Sequence, residues 1–229
     1  MLIFAHRGCS SKQCSENTIE AFNDALRSGA DGIEFDLRLS RDGQPIVVHD
    51  TNLHRIAGDA HRVSELEARM ISKVPLRYGG RVPTLDEVTS VIHAPAILDI
   101  EVKHRNVSEA LISKLKTSTS LRERTIISSF NKNTLISIKE QLPDIKLMLL
   151  IARWPFPLRG KSLWTIIENM EPWAIAFPLM VLTPSRISFL KAKRYRVGAW
   201  DRRGSRGEAR KAKDLKLDIA IIKQVKEAL

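Results

Sequence analysis

Short runs rich in Val, Ile and Leu alternate with segments of helical periodicity along almost the whole chain. This alternation is typical of parallel strands joined by helices, because each parallel strand needs a crossover connection before the next. Between the first two strands, for example, we expect a helix that is capped by Ser15 or Asn17 and carries the apolar stripe Ile19, Phe22 and Leu26. The predicted strands cover residues 2–6, 32–38 with an extension at 45–49, 97–103, 124–129, 146–152, 173–177, 196–200 and 218–223.

Eight strand–helix units in a chain of 229 residues predict the α/β class and, within it, a (β/α)8 TIM barrel. A doubly wound open sheet is the alternative, but no glycine-rich phosphate fingerprint follows any predicted strand. No change of composition divides the chain, so we expect one domain over 1–229. Residues 51–82 are too long for an ordinary connection, and we expect them to form a small insertion at the catalytic face.

The composition excludes several classes of protein. A hydrophobic fraction of 43% is enough for a core, which excludes a disordered or collagen-like chain. No apolar run reaches the roughly 20 residues of a membrane helix, and the first residues lack the pattern of a signal peptide. With only two cysteines, Cys9 and Cys14, we expect free thiols and a cytoplasmic location. A redox-sensitive pair above the active site is the alternative for these two residues.

Positive charge is concentrated in the last third of the chain. The net charge is +11, and residues 186–216 carry twelve Lys or Arg against three acidic residues. Such a segment can bind nucleic acid or an anionic membrane. These bases fall on predicted helices that also carry core positions such as Ala209 and Ala212, so they would ring the barrel rather than form one groove. We therefore expect no nucleic-acid partner, while peripheral contact with an anionic membrane and the oligomeric state stay open.

Acidic residues occur inside two neighbouring strands of the predicted barrel. Glu34 and Asp36 lie two residues apart in the second strand, and Asp99 and Glu101 repeat this spacing in the third. Side chains two apart leave the same face of a strand, and the interior of such a barrel normally contains Val, Ile and Leu. Inward carboxylates therefore need a counter-ion. Glu34, Asp36 and Glu101 offer the hard oxygen ligands that Mg²⁺ or Ca²⁺ prefers, which predicts one divalent metal ion as the cofactor.

Histidines and cations follow the same strands at their carboxyl ends, where the active site of such a barrel lies. His6 and His49 are candidates for general acid and base, because imidazole titrates near neutral pH. Arg7 and Lys103 are candidates for binding an anion such as phosphate. The alternative for Lys103 is that it only neutralises Glu101.

Several short motifs occur in a fixed order along the chain. They are His6-Arg7-Gly8, Glu16-Asn17-Thr18, Gly29-Ala30-Asp31 with Glu34 and Asp36, Asp42-Gly43, His49-Asp50, Pro83-Thr84-Leu85 and Glu101-Val102-Lys103, followed by Ser129-Phe130 and Trp200. In order and spacing this set resembles the glycerophosphodiester phosphodiesterase family over nearly the whole chain.

The resemblance implies a (β/α)8 barrel that uses a divalent metal to hydrolyse a small-molecule glycerophosphodiester to glycerol 3-phosphate and an alcohol. It implies that a glycerol hydroxyl attacks the phosphorus and that water then opens the cyclic phosphate. By position, it implies Glu34, Asp36 and Glu101 as metal ligands, with His6 and His49 as the acid/base pair. The substrate- and phosphate-binding positions that it implies are Arg7, Lys103, Phe130 and Trp200. For the two aromatic residues, packing at the barrel rim is the alternative.

Two departures from the family pattern fall at the mouth of the barrel. The chain has Trp200-Asp201-Arg202-Arg203 where the family usually has Trp-Thr-Val-Asn, and Lys223-Gln224 where the family usually has Thr/Ser followed by Asp/Asn. We hypothesise that these basic residues form a rim that favours anionic substrates. The rim residues are Arg202 and Arg203, with Arg105, Arg153 and Lys223 near them.

Two other functions stay open at this point. A lysophospholipase D-type phosphodiesterase would use the same site with an apolar rim. A basic module that binds anions or nucleic acid would use the positive segment, and we favour it less. The residues that could supply an apolar rim are Trp154, Phe156, Leu158 and Trp164.

Overall fold

The computed structural model describes residues 1–8, 14–154, 161–201 and 207–225, and only the backbone of 161–163. The strands in these ranges are β1 (Leu2–His6), β2 (Gly32–Leu39), β3 (Pro45–Val47), β4 (Ile97–Val102), β5 (Thr125–Ser129), β6 (Lys146–Leu150), β7 (Ala174–Pro178), β8 (Arg196–Trp200) and β9 (Ile219–Ile222). The helices are α1 (Ile19–Arg27), α2 (His54–Ala57), α3 (Ala68–Ile71), α4 (Leu85–Val91), α5 (Arg105–Thr117), α6 (Thr119–Glu123), α7 (Lys132–Gln141), α8 (Lys161–Met170), α9 (Pro184–Ala192) and α10 (Glu208–Asp214).

Eight of these strands close a parallel barrel. Strand β1 pairs with β2 on one side and with β9 on the other, and the remaining neighbours follow in the order β9-β8-β7-β6-β5-β4-β2. This closure confirms the predicted (β/α)8 barrel. Strand β3 is an extra strand, antiparallel to β2, with Leu37 opposite Val47. The predicted extension at 45–49 is therefore a hairpin on β2 that carries the chain towards the mouth.

Successive side chains of β2 alternate between the hydrophobic core outside the barrel and the candidate site inside it. Ile33, Phe35 and Leu37 point outwards and are fully buried in the cluster between strands and helices, where the Phe35 ring lies 5.6 Å from that of Phe22 on α1. Successive side chains of a strand leave opposite faces, so Glu34 and Asp36 point into the barrel. Below them the barrel is closed by an apolar plug that includes Phe4, Ile126, Met148 and Ile219. The carboxylates therefore lie above an apolar layer that fills the lower part of the barrel.

The start of α1 differs from the prediction in one respect. The N-cap is Thr18, whose hydroxyl accepts a hydrogen bond from the backbone N–H of Ala21 at 3.2 Å, rather than Ser15 or Asn17. Asn17 instead donates its side-chain amide to Asp36 inside the barrel, at 3.0 Å. Sequence alone could not distinguish these residues, because all three can cap a helix.

Residues 51–82 pack around an apolar cluster of their own. Helices α2 and α3 and a 3-10 turn at Val63–Glu65 surround this cluster, which also includes residues next to β3. Its fully buried members include Ile46, Leu53 and Ile71. The segment thus forms a compact layer beside the carboxyl end of β2. That it is an insertion at the catalytic face stays a prediction.

The helices and charged residues of the outer surface are relevant to whether the protein binds a membrane or nucleic acid. In the described ranges, no helix combines the length and apolar character needed to cross a bilayer. Part of the positive charge is balanced locally, since Lys193 pairs with Glu168 at 2.9 Å and Lys191 lies 3.5 Å from Asp218. These pairs are consistent with solvated helix faces for part of the basic segment.

Candidate functional site

A cavity of about 110 Å³ opens at the carboxyl ends of the barrel strands. Parallel strands all point the same way, so residues distant in sequence meet there. Most of the residues that sequence predicted for the site line this cavity: His6, Arg7, Glu34, His49, Glu101, Lys103, Phe130 and Trp200. Asp36 is fully buried beneath them.

Three carboxylates form the floor of the site. Glu34 and Asp36 come from β2 and Glu101 from β4, and Asp36 is paired directly opposite Glu101 across the two strands. One carboxylate oxygen from each lies within 4.8 Å of the others, and all three side chains are buried. Sequence spacing predicted that they share the barrel interior, and the register between β2 and β4 brings them to one level.

This cluster fits a divalent cation. Burial and the neighbouring carboxylates of Asp36 and Glu101 raise the pKa of Glu34 well above its ordinary value. Burial and Asp36 also raise the pKa of Glu101, to about 7. Negative charge is therefore costly here without a further cation. Three converging carboxylate oxygens are the donor set that Mg²⁺ and Ca²⁺ favour, so Glu34, Asp36 and Glu101 could hold such an ion.

Two basic side chains lie against the same carboxylates. Lys103 places its Nζ atom 2.8 Å from Asp36 and 2.6 Å from Glu101. Arg7 places Nε 3.1 Å from Asp36. Burial alone would raise the pKa of Asp36, but the charges of Arg7 and Lys103 outweigh it and lower that pKa below its usual range. Asp36 is therefore the carboxylate of the cluster that stays ionised.

The backbone after β1 takes an unusual path. Arg7 has φ 59° and Gly8 has φ 77°, so both lie in the left-handed region. The Arg7 N–H donates to the backbone oxygen of Glu34 at 2.8 Å, which fixes the turn on β2. A Cβ on Gly8 would lie 2.7 Å from the backbone of Ala21 on α1. Glycine is therefore required for α1 to pack close to the His6-Arg7 turn.

His6 points towards the acidic cluster. Its Nε2 atom lies 3.8 Å from Oε2 of Glu34. Burial, followed by the charge of Arg7, lowers the pKa of His6 to about 3. Burial therefore favours the neutral form of the imidazole.

His49 is oriented by its neighbour in sequence. Its Nδ1 atom lies 2.6 Å from Oδ1 of Asp50, and since a carboxylate only accepts, Nδ1 carries the proton and Nε2 is left for the site. The backbone oxygen of His49 accepts a hydrogen bond from Nε of Arg38 at 2.7 Å. Burial lowers the pKa of His49, while Asp50 acts in the opposite direction. The two histidines therefore approach the cavity from β1 and from the hairpin after β2.

A network of charged side chains joins these elements, and it was not assigned from sequence. Glu16 pairs with Arg7 at 2.8 Å and with Arg55 at 2.6 Å, and Arg55 also pairs with Asp50 at 2.6 Å. It links the first loop, the insertion and the His49 hairpin. Glu16 and Asp50 belong to the motifs Glu16-Asn17-Thr18 and His49-Asp50, which could have pointed to a role at the site. Arg55 belongs to no motif that the sequence analysis identified.

Asp99 is a further carboxylate that sequence placed inside the barrel. It is fully buried, opposite Glu34 across β2 and β4, and burial raises its pKa to about 8. The Ser128 hydroxyl lies close enough to oppose this shift, but it makes no hydrogen bond of good geometry with either oxygen of Asp99. Burial therefore favours the protonated form of Asp99, which shares the barrel interior with the three carboxylates.

The two predicted aromatic residues form the apolar edge of the mouth. The rings of Phe130 and Trp200 meet edge to face, with centroids 5.8 Å apart. Phe130 is 47% exposed, so the pair can both pack at the rim and present an apolar surface to a ligand.

Other sequence-based expectations have varied outcomes. His54, His61, His93 and His104 are exposed, as predicted. Trp164 is buried in the core beside Phe189, so it does not belong to an apolar rim. Cys14 is a buried free thiol. Cys9 of the predicted thiols, Phe156 and Leu158 of the apolar rim, and Arg202 and Arg203 of the basic rim lie outside the described ranges.

Comparison with known proteins agrees with this geometry. The sequence profile of the glycerophosphoryl diester phosphodiesterase family matches residues 6–203. A glycerophosphodiester phosphodiesterase of Caldanaerobacter subterraneus is 36% identical over 179 residues, which cover 70% of this chain and 73% of the relative. Matches to other curated relatives span about two thirds of their length.

Solved structures share the fold over nearly the whole chain. The crystal structure of a glycerophosphodiester phosphodiesterase from Thermotoga maritima is 25% identical, with a TM-score of 0.78 and coverage of 99% of this chain and 96% of that one. An Oleispira antarctica phosphodiesterase, solved with the product sn-glycerol-3-phosphate, is 22% identical, with a TM-score of 0.85 and coverage of 100% and 95%. The latter likeness concerns the fold alone.

Proposed function

Because the chain belongs to the glycerophosphoryl diester phosphodiesterase family and is a phosphoric diester hydrolase, we propose that it cleaves glycerophosphodiesters to glycerol 3-phosphate and an alcohol. The observation that supports this proposal is that two histidines and two cationic side chains line one cavity, with a carboxylate triad at its base. Cleavage of a phosphodiester requires compensation of the phosphate charge, positioning of the phosphate, and proton transfer to and from the reacting oxygens. The three groups of side chains could supply these functions together.

We assign the metal site to Glu34, Asp36 and Glu101, with Mg²⁺ or Ca²⁺ as the ion. When bound, the ion supplies positive charge that offsets the charge of the phosphate. The distances among the three carboxylates and the raised pKa of Glu34 support this assignment.

We assign phosphate binding to Arg7 and Lys103. Both now pair with Asp36, and Lys103 pairs with Glu101 as well. Their donors line the cavity, so they can bind phosphate oxygens while still balancing the acidic floor. Lys103 would then both bind phosphate and neutralise Glu101.

We assign acid/base chemistry to His6 and His49. In the first step His6 takes the proton of the attacking glycerol hydroxyl. His49 acts in its imidazolium form, which carries a second proton on Nε2, and gives that proton to the oxygen of the leaving alcohol. The carboxylate of Asp50 stabilises the imidazolium form of His49, which suits a proton donor. The roles reverse as water opens the cyclic phosphate, so both histidines return to their starting states.

A lysophospholipid is the second candidate substrate on the same site. The observation in its favour is the exposed edge of Phe130 beside Trp200, which could contact an acyl chain. We favour it less because Trp164 lies in the core and does not extend this surface.

We retain the basic rim as a proposal about substrate preference. Arg105 and Arg153 are exposed and Lys223 is half-buried, as a rim requires. Arg202 and Arg203 would complete it. The same positive charge would support peripheral contact with an anionic membrane, and the free thiol of Cys14 is consistent with the proposed cytoplasmic location.

The test is the release of glycerol 3-phosphate from glycerophosphocholine, glycerophosphoethanolamine and glycerophosphoinositol, with EDTA, Mg²⁺ or Ca²⁺. We expect release that depends on the metal and falls by about 10²- to 10⁴-fold in His6→Ala. Glu34→Ala should lose metal-dependent release as well. Release from lysophospholipids alone would favour the second candidate, and full activity of either variant would contradict the assigned roles.

A further inference from the structure

A second cavity lies beside the candidate active site, between the end of β2, the insertion and the start of α5. Its volume is about 300 Å³. No carboxylate borders it within the described residues, and its walls are rich in hydrogen-bond donors. The polar residues that line it are Arg38, Ser40, Thr51, Arg62, Ser64, His104 and Asn106.

Among the described residues, neither arginine of this cavity has an acidic side chain within ion-pair distance, although Asp36, Asp50 and Glu101 act on Arg38 from further away. Arg38 is half-buried and donates its Nε hydrogen to a backbone oxygen. The nearby carboxylates are committed elsewhere, since Asp36 pairs with Lys103 and Asp50 pairs with Arg55. Burial nevertheless lowers the pKa of Arg38 more than these carboxylates raise it, and a bound anion would offset the remaining cost of burying the guanidinium.

The start of α5 adds to the same positive potential. The side chain of the N-cap residue His104 makes no capping bond to the N–H groups of the first turn. Asn106 and Val107 of this turn line the cavity. The helix terminus is a secondary contribution here, because the cavity and its arginines already define the site.

The two cavities are neighbours. Lys103 lines the first cavity and His104, the next residue, lines the second. Arg38 lines the second cavity and holds the backbone of His49, which lines the first, at 2.7 Å. A ligand could therefore have one group at the acidic cluster and another in the second cavity.

We propose that this second cavity is an oxyanion site that takes a phosphate group. Two arginines and an imidazole match the charge and donor geometry of phosphate oxygens. The phosphate could be carried by the leaving alcohol of the substrate, a version that rests on the proposed function, or it could be free inorganic phosphate.

Calorimetric titration of the full-length, metal-free protein with inorganic phosphate tests the site directly. Arg62→Glu puts a negative charge on one wall and should weaken one phosphate-binding event by about 10-fold or more. Asn106→Asp, on the opposite element, should have the same effect. Arg77→Glu is the matched control, because Arg77 is an exposed residue of the same insertion that does not line the cavity. Unchanged binding in both cavity variants, or equal loss in the control, would overturn the proposal.

Activity measurements distinguish the two sources of phosphate. For a diester whose leaving alcohol carries a phosphate monoester, Arg62→Glu should raise KM by about 10-fold, while kcat/KM for glycerophosphocholine stays within about twofold. That result supports the cavity as a substrate subsite. Loss of phosphate binding with no change on either diester supports it as a site for free phosphate. If the wild type cleaves no glycerophosphodiester, the proposed function fails, but the titration still decides whether the cavity binds phosphate.

Discussion

The Nζ atom of Lys103 lies 2.6 Å from Oε1 of Glu101, inside the cluster that could hold a divalent ion. The lysine thus provides positive charge to carboxylates that a metal would also neutralise. Four buried carboxyl groups, Glu34, Asp36, Asp99 and Glu101, share this region with Lys103 and Arg7. Because burial and mutual repulsion raise the pKa of Glu34 and Glu101, we expect a divalent ion bound to these carboxylates to stabilise the fold as well.

Metal should stabilise the fold. We expect Mg²⁺ or Ca²⁺ at about 100 times its Kd to add about 2.7 kcal/mol to the free energy of unfolding. In Glu34→Gln this increment should largely disappear, because one ligand oxygen loses its charge. The measurement is the shift of Tm on adding metal to EDTA-treated protein. Glu109→Gln, an exposed change on α5, should keep the full shift, and the same shift in Glu34→Gln would argue against the site.

Asp50 should control the protonation of His49. In Asp50→Asn the imidazolium loses its carboxylate partner, which lowers the pKa of His49 further. His49 then holds its proton only at lower pH, so the alkaline limb of the kcat–pH profile should move to lower pH. We also expect kcat to fall by roughly 10-fold or more near neutral pH. Asp59→Asn breaks a pair of the same geometry at the surface, 2.6 Å from Asp59 to His61, and should leave the profile unchanged.

Gly8 should be intolerant of a side chain. Gly8→Ala combines a positive φ with a clash against Ala21, and we expect it to cost about 2–4 kcal/mol of unfolding free energy. Gly58→Ala has a similar φ, 79°, but open space around the added Cβ, so it should cost only about 1 kcal/mol. Denaturant unfolding of both variants isolates the clash. Equal costs would mean that α1 can move away from the His6-Arg7 turn.

Glu208 should make stability depend on pH. Its buried carboxyl accepts hydrogen bonds from the N–H groups of Lys223 and Gln224, and burial raises its pKa. The folded protein therefore keeps this proton to a higher pH than the unfolded chain does. Relative to Glu208→Gln, the wild type should lose stability as the pH rises through the ordinary pKa of glutamate, about 4.3, up to the raised value in the fold. Unfolding free energies of both proteins between pH 4 and 8 test this, and parallel curves would contradict it.

The basic rim should influence the choice of headgroup. Arg202→Ala/Arg203→Ala removes two positive charges that follow β8 in sequence. If these residues belong to the proposed rim, the change should relieve repulsion of the choline cation. We expect the ratio of kcat/KM for glycerophosphoinositol to that for glycerophosphocholine to fall by about 2- to 10-fold. Equal changes of kcat/KM for the two diesters would show that these arginines do not determine substrate preference.

Sequence predicted the barrel because alternation in a strand is a local property. Apolar runs separated by helical segments indicated eight parallel strands, and the spacing of Glu34 and Asp36 placed both inside. The identity of the α1 cap could not be predicted in the same way. Asn17 can cap a helix, but it bonds to Asp36, a residue 19 positions away that only the closed barrel brings near.

The sequence by itself therefore indicated the number of parallel strands and the chemical types of the site residues, since these depend on short-range periodicity and on motif. Only the tertiary structure decided which charges meet: the Glu16–Arg55–Asp50 network, the level at which Asp36 faces Glu101, and the donor-lined cavity between the insertion and α5. The physical reason is that Coulomb energies and pKa values depend on distance and burial, and these are set by how separate segments pack.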